Sequence, residues 1–498
     1  MTATERSPLV ESNSAVSEPE NGGRNSERSF GSNQPVVLII LATFLGEFLA
    51  SADESLMTAI YTTVASEFRS LSQGSWLLVA YNFGYCISSP VYGLLGDLFG
   101  RKNIIIWSFC FFLVGCIACG ASTSMIQLIT ARFLAGLSGA GVVSLVAVII
   151  TELVPPSDVA IFRSYGNTIN IVGRSLGGPI GGFLSQAVGW RWSFYGQVPL
   201  VFISILIIAR QMPSSLNQSR EGLDSTRAKI RQIDFLGIVG FTATIFLFVI
   251  ALQNIDWGGN QQPRLFYVLG GTFLGSAIVF LSLEVYWART PLIPVNLMKR
   301  MFGSYCISQL LLITGRSALI PTTVPYFIRV HNASDFTASL VNLAAMAGVP
   351  IASYLSGIWI KRPWEVLYLL PYGLAMGVLF TTQFSGMNAE VPTDRVGQCI
   401  GTYYLFQQLG RILGPVFGLS LTQQLFKGSL WKSLGPVPKK QELIQRILDD
   451  ARFAITLPKP TQQTVRLSYL TGFQVVPLFG TLCTVLSFPL MILDWERS

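Results

Sequence analysis

Long apolar stretches separated by short polar breaks set the pattern of this chain. They run at about 36–62, 75–96, 104–121, 126–153, 163–187, 191–210, 235–252, 265–287, 304–328, 338–359, 365–386, 397–425 and 468–493. A helix rises 1.5 Å per residue, so each can cross most or all of about 30 Å of hydrocarbon. The pattern predicts an all-α membrane protein with about thirteen spans. The breaks divide it into a six-helix bundle at 35–212, a linker at 213–232, a helix pair at 233–290 and a second bundle at 301–493. Within the second bundle, 427–467 reads as a loop before the last span. Residues 1–34 are polar and Ser-rich, the composition of a disordered tail.

With the N-terminus on the cytoplasmic side, thirteen Lys and Arg of the first ten loops fall on that side. Only Arg69, Arg191, Arg264 and Arg329 fall opposite. Basic residues collect on cytoplasmic loops, so this asymmetry predicts the orientation up to Arg362. Charged residues make up 12% of the 498 residues, half the share usual in soluble domains, and the net charge of +8 is carried by those loops. Nucleic acid is therefore not an expected partner; the lipid bilayer is. The seven cysteines all lie in apolar segments, where thiols pack as small hydrophobes. One histidine, His331, cannot build a zinc site or serve a nucleophile, and no phosphate-binding loop occurs. The expectation is a non-enzyme without metal or cofactor, driven by an ion gradient.

Between the second and third stretches lies Gly93-Leu-Leu-Gly-Asp97-Leu-Phe-Gly100-Arg101-Lys102. It resembles the loop signature of the major facilitator superfamily, with Leu98 where an Arg is usual. The resemblance implies two pseudo-symmetric helix bundles with an extra helix pair between them. It also implies that Gly93, Asp97, Gly100, Arg101 and Lys102 gate access at the cytoplasmic mouth.

An internal repeat points the same way. Val154-Pro155 is followed by Gly173-Arg174 and then Gly177-Gly178-Pro179-Ile-Gly181-Gly182; Val391-Pro392 is followed at equal spacing by Gly410-Arg411, Gly414-Pro415 and Gly418. The first copy resembles the Gly-Pro motif of proton-coupled antiporters. Gly173, Gly178, Gly181 and Gly182 let helices approach closely, and Pro179 weakens the helix where it can bend. From its start to this landmark the second half is about 31 residues shorter than the first, roughly one helix and its loop. The family implies fourteen spans, so one is missing from the second half. The scar is placed at Ser356-Gly357-Ile-Trp-Ile-Lys361-Arg362-Pro363, which begins like a second loop signature. An odd count would invert the last loops. The shortfall reads either as a splicing or gene-prediction error or as a truncated, inactive or sensor-like paralogue.

Charged groups cost about 2.5–3.5 kcal/mol each at the centre of a membrane helix on insertion scales, so they mark candidate chemistry. Glu47, Asp53 and Glu54 lie on the first span. Glu47 and Glu54 are two turns apart and share a face; Asp53 points about 100° away from Glu54. The segment from Asp53 resembles one in fourteen-span drug:proton antiporters, with Thr62 where a Pro is usual. Carboxylates in a partly dry cavity can carry protons and attract cations. Their bland alternative is a hydrated helix end. Arg132 resembles the buried Arg of the fourth span, implying proton coupling, with bonding to backbone carbonyls as the alternative. Arg174, Arg316 and Arg411 are further mid-span arginines; Arg174 either touches substrate or locks a helix interface. Gly189-Trp190-Arg191-Trp192 resembles a family marker that anchors the sixth span.

Ser51-Ala-Asp53-Glu54-Ser-Leu-Met-Thr and Gly173-Arg174-Ser-Leu-Gly-Gly are most similar to the fungal vacuolar basic amino acid transporters. That resemblance implies exchange of a basic amino acid for protons across the vacuolar membrane, by a protein expected to be monomeric. Glu5-Arg-Ser-Pro-Leu9-Val10 resembles an acidic dileucine sorting signal. The alternative is a drug or toxin exporter of the plasma membrane; a siderophore carrier is a third. Asn332-Ala-Ser334 falls in a non-cytoplasmic loop and can accept a glycan, whereas the sequon at Asn217 faces the cytoplasm.

Overall fold

The computed structural model describes residues 34–155, 158–213, 235–253, 263–287, 298, 301–340, 396–435, 439–451 and 453–495. The tail with its dileucine-like segment, the 213–232 linker apart from residue 213, Asn217, most of the 338–359 stretch, the 365–386 stretch and the 356–363 scar lie outside them. The described residues are helical and contain no strand.

The first bundle holds α1 (Gln34–Glu67), α2 (Gly74–Phe99), α3 (Arg101–Ala121), α4 (Met125–Leu153) and α5 (Val159–Ala187), then the short α6 (Trp192–Tyr195) and α7 (Gln197–Gln211). The expected sixth span is α6 and α7 in succession, with Gly196 between them in right-handed helical conformation, so that Trp192–Gln211 forms one span. The extra pair is α8 (Phe235–Gln253) and α9 (Pro263–Tyr286). The second bundle contributes α10 (Met301–His331), α11 (Val396–Ser433), α12 (Lys440–Asp449), α13 (Lys459–Phe473) and α14 (Val475–Trp495). By length and composition, stretches such as Val36–Glu67, Arg101–Ala121 and Met125–Ile150 can each cross a membrane.

Glycine decides how the helices meet. On α5, Gly173, Gly177 and Gly181 come down on Phe48, Ala52 and Leu56 of α1, and a Cβ on Gly177 would collide with the Ala52 carbonyl oxygen. On α11, Gly410, Gly414 and Gly418 come down on Ile313, Ser317 and Ala318 of α10 in the same manner. Both ladders climb in step along the two chains, so the paired helices run parallel in each half. The predicted repeat is therefore a repeated helix contact. Gly177 follows Ala52 by 125 residues but Gly414 follows Ser317 by 97, so the second half makes the contact with 28 fewer residues. Because α11 runs parallel to α10, the last helices keep the direction the repeat demands.

Gly177→Val is expected to lower stability by about 1–3 kcal/mol, since the backbone it would strike cannot yield as a side chain can. The thermal midpoint of the purified protein in detergent checks this. An unchanged midpoint would mean that α1 and α5 are not held this closely.

The extra pair is not a detached unit. Phe241, Ile245 and Val249 of α8 share one apolar cluster with Val79 and Cys86 of α2 and with Leu405, Ile412 and Val416 of α11. Phe83 stacks on Phe246 at 5.8 Å. α8 thus touches both bundles, while α9 leaves Tyr267, Leu274, Ile278 and Val285 exposed, as a lipid-facing helix would.

Residues 427–467, expected as a loop, are largely helical. α11 has 38 residues, about 57 Å at 1.5 Å each, nearly twice the hydrocarbon thickness. Its projecting end, α12 and α13 close a small core around Phe426, Leu430, Ile444, Ile447 and Val465. The amphipathic spacing of Ile444 and Ile447 among charged residues was the missed signal. Arg329 ties this cap to α10, donating to the Ile447 carbonyl at 3.0 Å with its guanidinium 5.2 Å from the Phe426 ring centroid.

Candidate functional site

The three acids of α1 go to different places, as helical geometry demands. Asp53 is buried with Arg132 of α4 in an ion pair whose side chains are each 1% exposed. Its other oxygen accepts from Gln197 Nε2 of α7 at 3.2 Å. The Arg132 guanidinium lies 4.5 Å from the Tyr81 ring centroid. Desolvating two charges costs several kcal/mol per ion, and only close pairing with further hydrogen bonds repays it. Gln197 supplies one such bond to the carboxylate, and the pair locks α1, α4 and α7 together. The alternative of a hydrated helix end does not describe Asp53, and Arg132 meets a carboxylate rather than only carbonyls.

Glu47 and Glu54 turn to α5 instead. Asn170, Arg174 and Tyr85 are among the polar groups near the buried Glu47, and a Cβ on Gly166 would touch its Oε2 at 3.2 Å. Glu54 pairs with Arg174 at 3.0 Å and reaches Arg411 of α11 at 3.7 Å. Arg174 also donates to Asn170 Oδ1 at 2.9 Å. Side-chain exposures of 16–19% for Glu54, Arg174 and Arg411 keep this group within reach of water. It joins the two bundles through charge, and Arg174 and Arg411 are the same position of the repeat. Sequence reading singled out Arg174 but gave no special place to Arg411, although the repeat carried the signal.

In the loop signature, α2 runs on to Phe99 and Gly100 alone makes the turn, with φ +88°, a conformation that glycine adopts freely. Gly93 and Asp97 lie on the last turns of α2. Arg101 starts α3 and pairs with Glu152 at the end of α4 at 2.6 Å. Lys102 Nζ donates to the Met212 carbonyl at 2.6 Å, tying the turn to the end of α7. Glu152 was not anticipated; a charge in the last turn of the apolar α4 was the sequence signal.

At the opposite end the bundles close on each other. Thr63 Oγ1 donates to Asp335 Oδ2 at 2.7 Å, and Tyr61 OH to the Pro321 carbonyl at 2.9 Å. Tyr61 and Val64 share an apolar cluster with Val324, Phe327 and Leu419. Of the predicted helix-packing residues, Gly173 and Gly181 face α1, and Gly178 N–H donates to Ser55 Oγ at 3.1 Å. Pro179 lies within α5, and Gly182 meets the backbone of Asp335 and Phe336 in the second bundle. Among the described residues, the cluster formed by the N-terminal half of α1 with α3, α4 and α7 holds none from the second bundle.

Trp190 Nε1 and Arg191 both donate to Glu67, at 2.6 and 2.9 Å, and Arg191 lies over the Trp190 ring. This fixes the α5–α6 turn to the end of α1, the anchoring expected of the motif. Asn332 is exposed just past α10 with φ +52°, and Ser334 Oγ accepts from the Thr337 N–H as a helix cap.

Paired parallel helices repeated in two bundles, with ion pairs buried between them, define an integral membrane transporter. The chain belongs to the Major Facilitator Superfamily, whose profile matches residues 43–415. It is 27% identical to a vacuolar membrane amino acid uptake transporter of Schizosaccharomyces pombe over 86% of this chain and 78% of that protein. It is 25% identical to vacuolar basic amino acid transporter 2 of Saccharomyces cerevisiae, over 85% and 98%. A multidrug resistance protein of Schizosaccharomyces pombe is 26% identical over 87% and 88%. Among solved structures, a bacterial homologue of the human drug peptide transporters PepT1 and PepT2 shares the fold, with TM-score 0.55 and 12% identity over 93% of this chain and all of that one. Members of the superfamily are transporters, not enzymes.

Proposed function

We propose that the protein is a proton-coupled antiporter that moves basic amino acids across the vacuolar membrane. The observation that carries this reading is the convergence of carboxylates and guanidiniums from α1, α4, α5 and α11 within the membrane. Asp53 with Arg132, Glu54 with Arg174, and Glu47 are the proposed coupling groups. A proton and a substrate ammonium compete for the same carboxylates, which links the two fluxes. The similarity to vacuolar amino acid transporters supports both the substrate class and the membrane. The similarity to a multidrug resistance protein supports a second reading, efflux of drug-like cations at the plasma membrane.

With the N-terminus cytoplasmic, as the basic loops indicate, the gating turn Gly93–Lys102 lies at the cytoplasmic mouth and the closed end faces the lumen. Asn332 is then a glycan acceptor, and a glycosidase-sensitive band that disappears in Asn332→Gln checks the orientation. The function is tested with the full chain in acid-interior vesicles. Arginine uptake that collapses with the proton gradient is the expected result. Proton-dependent transport of a hydrophobic cationic drug, without arginine uptake, would establish the second reading instead.

A further inference from the structure

Glu54 is outnumbered. Arg174 lies 3.0 Å from it and Arg411 3.7 Å, and Arg316 is within electrostatic reach of both Glu54 and Arg411. Arg174 divides its donors between Glu54 and Asn170. Arg411 is attracted by Glu54 and Tyr85 and repelled by Arg174 and Arg316. Bringing two guanidiniums onto one carboxylate inside a membrane is costly. The arrangement also opposes the simplest view of the site, in which acids attract a cation: Asp53 is already neutralised by Arg132, and Glu54 is shared by two arginines, one from each bundle. It calls for a second anion.

We propose that Arg174 and Arg411 form a clamp for the α-carboxylate of the transported amino acid, one arginine from each half of the repeat. Glu54 is the internal carboxylate with which it competes. This rests on the amino acid reading above and specifies it. A guanidinium presents parallel N–H donors matched to a carboxylate, which an ammonium or an apolar drug does not satisfy. When the substrate carboxylate takes Arg411, Glu54 is released from the second bundle and, with Glu47, is available to the substrate ammonium or to a proton. The clamp spans α5 and α11, so its occupation bears directly on how the two bundles sit together.

The test is radiolabelled arginine uptake into proteoliposomes holding the full chain. Lysine should compete, whereas cadaverine and lysine methyl ester, which lack the carboxylate, should compete at least about tenfold less well, the loss of one charge-assisted hydrogen bond. Arg411→Gln should raise the half-saturation concentration about tenfold or more at unchanged protein content, and Arg411→Lys should recover part of it. Competition by cadaverine equal to that of lysine, or an Arg411→Gln protein with unchanged half-saturation, would overturn the clamp while leaving the amino acid reading intact. Absence of basic amino acid uptake by the unaltered protein would overturn both.

Discussion

Arg132→Gln is expected to abolish transport and to lower stability by about 3–5 kcal/mol, the cost of stranding a buried charge. Asp53 is 1% exposed, so removing its guanidinium leaves a buried carboxylate with Gln197 Nε2 at 3.2 Å as its hydrogen-bond partner among the described residues. Asp53→Asn strands Arg132 over the Tyr81 ring in the same way. The double variant Asp53→Asn/Arg132→Gln removes both charges and keeps amide partners in place, so it should recover most of the stability. It should not recover proton-driven uptake if Asp53 carries the proton. Thermal unfolding in detergent reads the first effect and vesicle uptake the second. A single Arg132→Gln protein as stable as the parent would contradict the ion pair. A double variant that transports normally would make the pair purely architectural.

What the sequence made legible follows from what it encodes locally. The apolar stretches, the glycine ladder and the angular separation of Glu47 and Glu54 from Asp53 are properties of one helix, and helical periodicity carries them directly. The partners are not local. Glu152 meets Arg101 across 51 positions, Arg132 meets Asp53 across 79, and Arg411 meets Glu54 across more than 350. For Arg132 the family resemblance located the residue and left its partner open. For Arg411 the repeat carried the signal, because Gly173-Arg174 and Gly410-Arg411 are one position in two copies. The cap formed by α12 and α13 was missed because its apolar residues are too few to stand out beside membrane spans.

Crosslinking Thr63→Cys to Asp335→Cys is expected to stop transport completely and reversibly. Alternating access requires the bundles to part at the end where they now meet. Beside the apolar cluster around Tyr61 and Val64, the polar ties that hold them there are modest: the Thr63–Asp335 bond, the Tyr61–Pro321 bond, the Ala451 N–H on Ser66 Oγ at 3.1 Å, and Gln423 on the Leu71 carbonyl at 3.3 Å. Such hydrogen bonds contribute about 0.5–1.5 kcal/mol each, so thermal motion and substrate binding can release them. A disulfide cannot be released in that way. Six of the seven native cysteines are buried, which leaves Cys110 as the main background thiol, and the two single variants control for it. Oxidation should therefore silence only the double variant, and reductant should restore its uptake, which misfolding would not permit. Full uptake by quantitatively crosslinked protein would mean that the pathway does not open at this end.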